Sequence, residues 1–246
     1  LQGTDIYEGD TVDNWATLKA QKLFFIFMRV HYGTKLDTMW ADYWKAAQAV
    51  GFRSGGYGFL LPSQPWQDQV AVAAQAVQSI GGFKSGDMNL FVDLESPKSW
   101  LKLPSGTMLS QNQRDRIHKQ IITAWIKAMP SATTRTDFLL HYLHGIQQAI
   151  GRTVGIYTSA SFMEKVFPNP PAELTANPLW VANWDVNTPD VPGPWSRLPQ
   201  PQWQLWQDKG DSVSYDGLNE NKPNSADRDW FWGTLADFEA LFGTPA

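Results

Sequence analysis

The feature that most constrains this chain is the order in which short apolar runs alternate with helical patterns. Leu23 to Val30 is apolar and rich in Phe, and reads as a strand buried on both faces. Thr4 to Tyr7, Gly55 to Leu61, Asn89 to Leu94, Val154 to Thr158 and Leu179 to Trp184 read as further strands. Between them lie helical spacings. Thr11 to Lys22 is one, Thr38 to Val50 a second with Thr38 as its expected N-cap, and Trp66 to Ile80 a third. Ser110 and Gln113 form a capping-box pattern opening a helix that carries Ile117, Ile121, Ala124, Trp125 and Ala128, and Thr136 to Ile150 is another helix. After about residue 165 the helices thin out. Trp203 to Gln207 and Asp227 to Phe231 then read as strands joined through loops, with a last helix at Leu235 to Phe242. Such alternation predicts an α/β fold with a parallel sheet and helices outside. A barrel whose last part lacks its helices fits better than an open doubly wound sheet. With no linker or internal repeat, residues 1–246 are expected to form one domain.

Composition excludes several function classes. The absence of Cys removes disulfides, thiolate nucleophiles and Cys-ligated metals. A formal charge of −4 argues against a non-specific nucleic-acid binder. The longest wholly apolar run, Leu23 to Met28, is too short to cross a bilayer. No charged-then-apolar leader opens the chain, so a secretion signal is expected to be absent or already removed. The aromatic content, Trp 13, Tyr 7 and Phe 13, fits either a ring-filled core or a cleft that stacks flat faces, and the acidic charge favours sugars over nucleobases there.

In parallel barrels, chemistry gathers at the C-terminal ends of strands. Asp5, Asp93, Glu95 and Asp227 all fall in or at the ends of predicted strands. Asp93 and Glu95 are two residues apart and so point to the same side, roughly 6–7 Å from one another. Paired carboxylates push one pKa up and leave a proton donor beside an anion, which is what glycoside hydrolysis requires. The same pair could instead stand solvated at a strand end or hold a hard cation such as Mg²⁺. Other constellations are poorer. His31, His118, His141 and His144 lack an accompanying metal-ligand pattern. Gly55-Gly56-Tyr57-Gly58 lacks the Lys-Ser/Thr of a phosphate loop, and is better read as a strand lying close to a neighbour or ligand. Ser159 and Ser161 lack nucleophile-elbow glycines and are expected to cap a helix.

Taken in order, these strings resemble the glycoside hydrolase family 25 muramidases. Gly3-Thr4-Asp5-Ile6 is similar to the family's opening, Phe25 to Gly33 to its second strand with Arg29 at a usual basic position, and Gly56-Tyr57-Gly58-Phe59 to its Gly-x-Tyr-His-Phe strand. Phe91-Val92-Asp93-Leu94-Glu95 resembles its Asp-x-Glu signature. Gly155 to Ser159, Leu179 to Trp184, Leu205-Trp206-Gln207 and Ala226 to Phe231 follow in family order, the last with Asp229 in place of Asn. Further departures are His31-Tyr32-Gly33 for a Thr/Ser-Glu-Gly string, Gly58 for His, Trp184 for Tyr, and a long 96–136 segment that could form a lid or extra helix.

The resemblance implies an irregular TIM-like barrel of five β/α units followed by three strands. It implies hydrolysis of the β-1,4 bond between N-acetylmuramic acid and N-acetylglucosamine in peptidoglycan, with retention and substrate N-acetyl assistance. Glu95 would be the general acid/base, Asp93 would assist, and Asp5 and Asp227 would complete an acidic floor. Arg29, Tyr57, Tyr157, Trp184 and Trp206 would bind the glycan, although core packing would account for the rings as well. No cofactor and no metal are implied. The partner expected is the bacterial glycan strand, met by a monomer outside the cell or at the wall, without nucleic acid or membrane. A silent wall-binding module and a chitin-cleaving N-acetylhexosaminidase are the alternatives.

Overall fold

The computed structural model describes residues 1–95, 119, 122–200 and 202–245. The Ser110/Gln113 cap, His118 and most of the expected lid lie outside the described residues. The strands are β1 (Gln2–Ile6), β2 (Phe25–Tyr32), a short β3 (Lys35–Leu36), β4 (Arg53–Phe59), β5 (Leu90–Leu94), β6 (Gly155–Thr158), β7 (Leu179–Ala182), β8 (Leu205–Val213) and β9 (Ala226–Phe231). They form one sheet in the order β1-β9-β8-β7-β6-β5-β4-β2-β3, and a further β1–β2 pairing closes it into a ring. Pairing is parallel from β1 through β2 and β4 to β8. Only β9, wedged between β8 and β1, and the β3 hairpin strand run antiparallel.

Helices α1 (Trp15–Ala20), α2 (Trp40–Ala49) and α3 (Trp66–Ser79) follow β1, β2 and β4. Helical residues 122–128 (α4) and α5 (Ala132–Ile150) precede β6, and α6 (Ala160–Val166) follows it. Strands β7, β8 and β9 then succeed one another with no α-helix between them, and α7 (Leu235–Phe242) comes last. The expected barrel, five β/α units and then three strands, is the architecture found.

Alternation along the strands divides the core in two. Ile26, Met28, Val92, Ile156 and Val181 point outward and pack under the helices. Phe25, Phe27, Phe91, Trp180, Leu205 and Phe231 point inward and fill the barrel, each burial contributing roughly 1.5–3 kcal/mol. The inward aromatics fit because glycines stand beside them. Gly3 pairs with Phe25, Gly55 with Phe27 and Gly155 with Phe91. A Cβ at these glycines would lie 2.2, 2.4 and 2.2 Å from the neighbouring ring. Phe238 and Phe242 of α7 close the N-terminal end of the barrel against Phe231. The opposite end, where β1 to β8 finish, is the one left for chemistry.

Two helix starts differ from expectation. Helix α2 starts after Met39 without a side-chain cap; Asp37 Oδ1 accepts from the Met39 N–H at 3.0 Å just ahead of it, while the Thr38 hydroxyl donates to Glu8. Helix α5 begins at Ala132, four residues early, because the Ser131 hydroxyl caps it and the buried Arg135 donates to the carbonyls of Met129, Pro130 and Val166. Those carbonyls would otherwise be orphaned where α4 and α6 end. Ser159 caps α6 as its position suggested.

His31 is satisfied inside the core. Nδ1 donates to the Gly33 carbonyl and Nε2 accepts from the Tyr142 hydroxyl, both at 2.8 Å. A carbonyl can only accept, so this fixes the tautomer. A Cβ on Gly58 would fall 2.1 Å from Nε2, so the glycine admits the imidazole. No helix of the described residues is long and apolar enough to cross a membrane.

Candidate active site

The strand ends bring the predicted carboxylates together. Asp5 ends β1 on its inner side, Asp93 lies on β5 opposite Tyr157 of β6, and Glu95 follows β5 directly. Asp227 comes from β9, on the same side of the strand as Asp229. The clearest report of their convergence is the Tyr157 phenol. Burial raises its pKa well above the ordinary value, and the charges of Glu95, Asp93, Asp5 and Asp227 each raise it further. Four carboxylates from three regions of sequence therefore act on one hydroxyl. Tyr57, on β4, is likewise raised, by burial and then by Asp5, with Arg29 opposing and Asp93 adding to it.

Gln207 organises this floor. Its Oε1 accepts from the Tyr157 hydroxyl at 2.8 Å and from the Trp184 indole at 2.9 Å. Its Nε2 donates to Asp5 Oδ2 at 2.8 Å and reaches Asp227 Oδ2 at 3.4 Å. One buried amide thus links four of the expected site residues. Asp5 keeps some accessible surface but is hemmed in by protein. Desolvation and the neighbouring Asp229 push its pKa well up, and the Gln207 bond opposes this. The backbone N–H of Asp211 donates to Asp227 Oδ1.

Trp180 separates the acids from the apolar barrel below. Its ring lies 4.5 Å from Phe27 and 4.7 Å from Tyr157, and its indole donates to Asp229 Oδ1 at 3.1 Å. Trp184 stands at the rim, 38% exposed. Gly210 makes room for it, since a Cβ there would sit 2.7 Å from the indole.

Arg29 pairs with Tyr57 across β2 and β4 and points inward, but its guanidinium is engaged. Nε contacts Asp37 at 2.9 Å and Nη2 contacts Glu8 at 3.3 Å. The ring of Tyr7 lies against it, 4.6 Å away. Asp37 and Glu8 thus bring acid to Arg29 beside the position where the Thr/Ser-Glu-Gly string is missing. Trp206 takes the other face of its strand. It alternates with Leu205 and Gln207 on β8 and so faces outward. It packs 5.9 Å from Trp203 and donates to the Asn183 carbonyl.

The sequence reading passed over Gln207 and Asp229 as site residues. The signal was the period of two: if Leu205 fills the barrel, Gln207 must join it, and Asp229 lies level with Gln207 in the β8–β9 register. Among the described residues no group of three or more His, Asp or Glu is arranged to hold a metal.

The sequence pattern of glycosyl hydrolases family 25 matches residues 4–214. Lysozyme M1 of Streptomyces globisporus is 27% identical over 253 residues, spanning 100% of this chain and 72% of its own. In three dimensions the chain is similar to the bacterial lysozyme of Streptomyces coelicolor, with a TM-score of 0.74 at 23% identity over 100% of this chain and 98% of that one. It is also similar to a muramidase from Trichobolus zukalii, with a TM-score of 0.72 at 19% identity over 99% of each. The match over most of its length, together with the barrel it folds into, places the chain in glycosyl hydrolases family 25.

Proposed function

We propose that this family 25 lysozyme cleaves the β-1,4 bond between N-acetylmuramic acid and N-acetylglucosamine in peptidoglycan, with Glu95 as general acid/base. The observation that carries the reading is the acidic floor at the open end of the barrel, where Gln207 ties Asp5 and Asp227 to Tyr157 and Asp93 stands opposite Tyr157 in the strand register. A glycosidic oxygen leaves only if it is protonated, and the cation-like sugar that remains needs negative charge beneath it. Glu95, half-buried just past β5, supplies the proton. Asp93, buried on the same side of that strand, orients the substrate's own N-acetyl oxygen for attack on the anomeric carbon. The C–O bond breaks as that oxygen bonds, and Glu95, now an anion, takes the proton of the incoming water. This second displacement at the same carbon gives net retention. Asp5 and Asp227, held by Gln207, stabilise the positive charge from below. The exposed face of Trp184 offers a platform for a sugar ring. Such a substrate places the enzyme's work at the cell wall, as a monomer and with no cofactor.

The test is digestion of defined peptidoglycan, with mass spectrometry of the new reducing ends. Ends on N-acetylmuramic acid are expected, and Glu95→Gln should lose about 10²–10⁴ of the rate. An unchanged rate in that variant would end the proposal. Cleavage of chitin oligomers in preference to peptidoglycan would reassign the substrate, and saturable binding without turnover would reassign the chain to wall recognition alone.

A further inference from the structure

We propose that Asp229 is a positioning residue for this reaction: at neutral pH it carries a proton that it donates to Asp5, holding Asp5 as an anion under the cleft, and its ionisation sets the upper pH limit of activity. The inference rests on the muramidase reading of the site.

Asp229 is 0% exposed. Its Oδ1 accepts the Trp180 indole N–H at 3.1 Å, while no donor among the described residues reaches its buried Oδ2. Asp229 stands level with Gly3 of β1 and with Gln207 of β8, whose amide donates to Asp5 Oδ2 at 2.8 Å, so the two carboxyls are neighbours on the inner side of the barrel. Two carboxylates cannot share a buried hydrogen bond, since each would only accept; one proton between them supplies the missing donor. Asp5 has an amide donor in Gln207 and some contact with the cleft. Asp229 has neither solvent nor a cation, so the proton resides there.

Of the groups that face Asp229, the Asp227 and Asp208 carboxylates favour this state. β1 presents Asp5, β9 presents Asp227, β8 presents Asp208, and beyond it stands the Tyr215 hydroxyl, whose own ionisation Asp229 opposes. β7 contributes only the neutral indole of Trp180. Arg228, the neighbouring cation, is held by Asp208 at 2.6 Å. Burial and the charges of Asp227 and Asp208 raise Asp229 well above the ordinary carboxyl range, and the hydrogen bonds with Trp180 and Asp5 oppose this. Loss of its proton would set two anions side by side and release Asp5 from its donor. An Asn at this position, as the family pattern has, would donate with no proton to lose.

Infrared spectroscopy of the free enzyme and pH–rate profiles on peptidoglycan test this together. The wild type should show the C=O stretch of a buried protonated carboxyl at pH 7, absent from Asp229→Asn. Asp5→Asn should also lose the band, because its amide then donates to an ionised Asp229. The alkaline limb of kcat/KM should move up by about one pH unit or more in Asp229→Asn, a tenfold change in proton affinity. Asp229→Leu, with no donor, should lose activity across the profile. A missing band in the wild type, a band that persists in Asp229→Asn, or coincident alkaline limbs would overturn the proposal. A band in an enzyme that never cleaves peptidoglycan would overturn the muramidase reading alone and leave the shared proton standing.

Discussion

The Trp180 indole N–H meets Asp229 Oδ1 at 3.1 Å, so one ring both seals the apolar barrel and anchors the acid floor. Trp180→Phe keeps most of the seal and removes the donor. The buried Asp229 carboxyl would then lose the one N–H that reaches it among the described residues, at a cost of about 1–3 kcal/mol, with a smaller penalty for the space left by the indole. Urea unfolding should show a total loss of about 2–4 kcal/mol. A loss below about 0.5 kcal/mol would mean that the bond does not anchor Asp229.

Gln207→Glu changes almost no volume, yet it turns the shared donor into another anion between Asp5 and Asp227. The bonds to both would be lost. Each hydrogen bond to a charged group is worth about 1.5–3 kcal/mol, so kcat/KM on peptidoglycan should fall by roughly 10–100-fold or more. Thermal unfolding should shift down as well, since the new carboxylate is buried among like charges. Full activity in this variant would show that the floor does not need its crosslink.

His31 makes the fold acid-sensitive. Burial lowers its pKa from the usual 6.5 to about 4 in the folded protein. Between these values the unfolded chain binds a proton that the folded protein does not, so stability is fully present above pH 6.5 and is lost as pH falls towards 4. The loss amounts to roughly 3 kcal/mol. His31→Gln should be less stable than wild type at pH 7 but lose less on going to pH 4.5, measured by urea unfolding at both. Parallel pH dependences in the two proteins would remove His31 as the cause.

Gly155→Ala should overpack the barrel, because its Cβ would meet the Phe91 ring at 2.2 Å. A loss of about 1–3 kcal/mol is expected. Adding Phe91→Leu should recover part of it, a coupling that a double-mutant cycle reads directly. Strict additivity would show that the glycine is not there to make way for the ring.

Much of the fold was legible because its signals are local. Apolar runs set β2 and β5, and spacing with glycine stops set α2 and α3. The carboxylates stood out because they end strands. Tertiary pairing wrote the rest. Thr38 has the right chemistry for a cap, yet α2 starts only after Met39, whose N–H bonds Asp37, while the Thr38 hydroxyl turns to Glu8. Trp206 has the right chemistry for a sugar platform, but strand alternation turns it outward and delivers Gln207 instead. The early start of α5 follows from Arg135 reaching carbonyls of α6 and of the turn before its own helix, contacts no window of sequence contains.

Strand β9 enters the ring between β8 and β1, bearing Asp227 and Asp229. During synthesis, then, the first seven strands of the ring can emerge from the ribosome and still enclose nothing. The seam stays open and half the acidic floor is missing until residue 231 has cleared the exit tunnel. Hydrolytic competence arrives as a late, all-at-once event in the life of the polypeptide, and a fragment truncated before β9 should be inert towards any wall it meets.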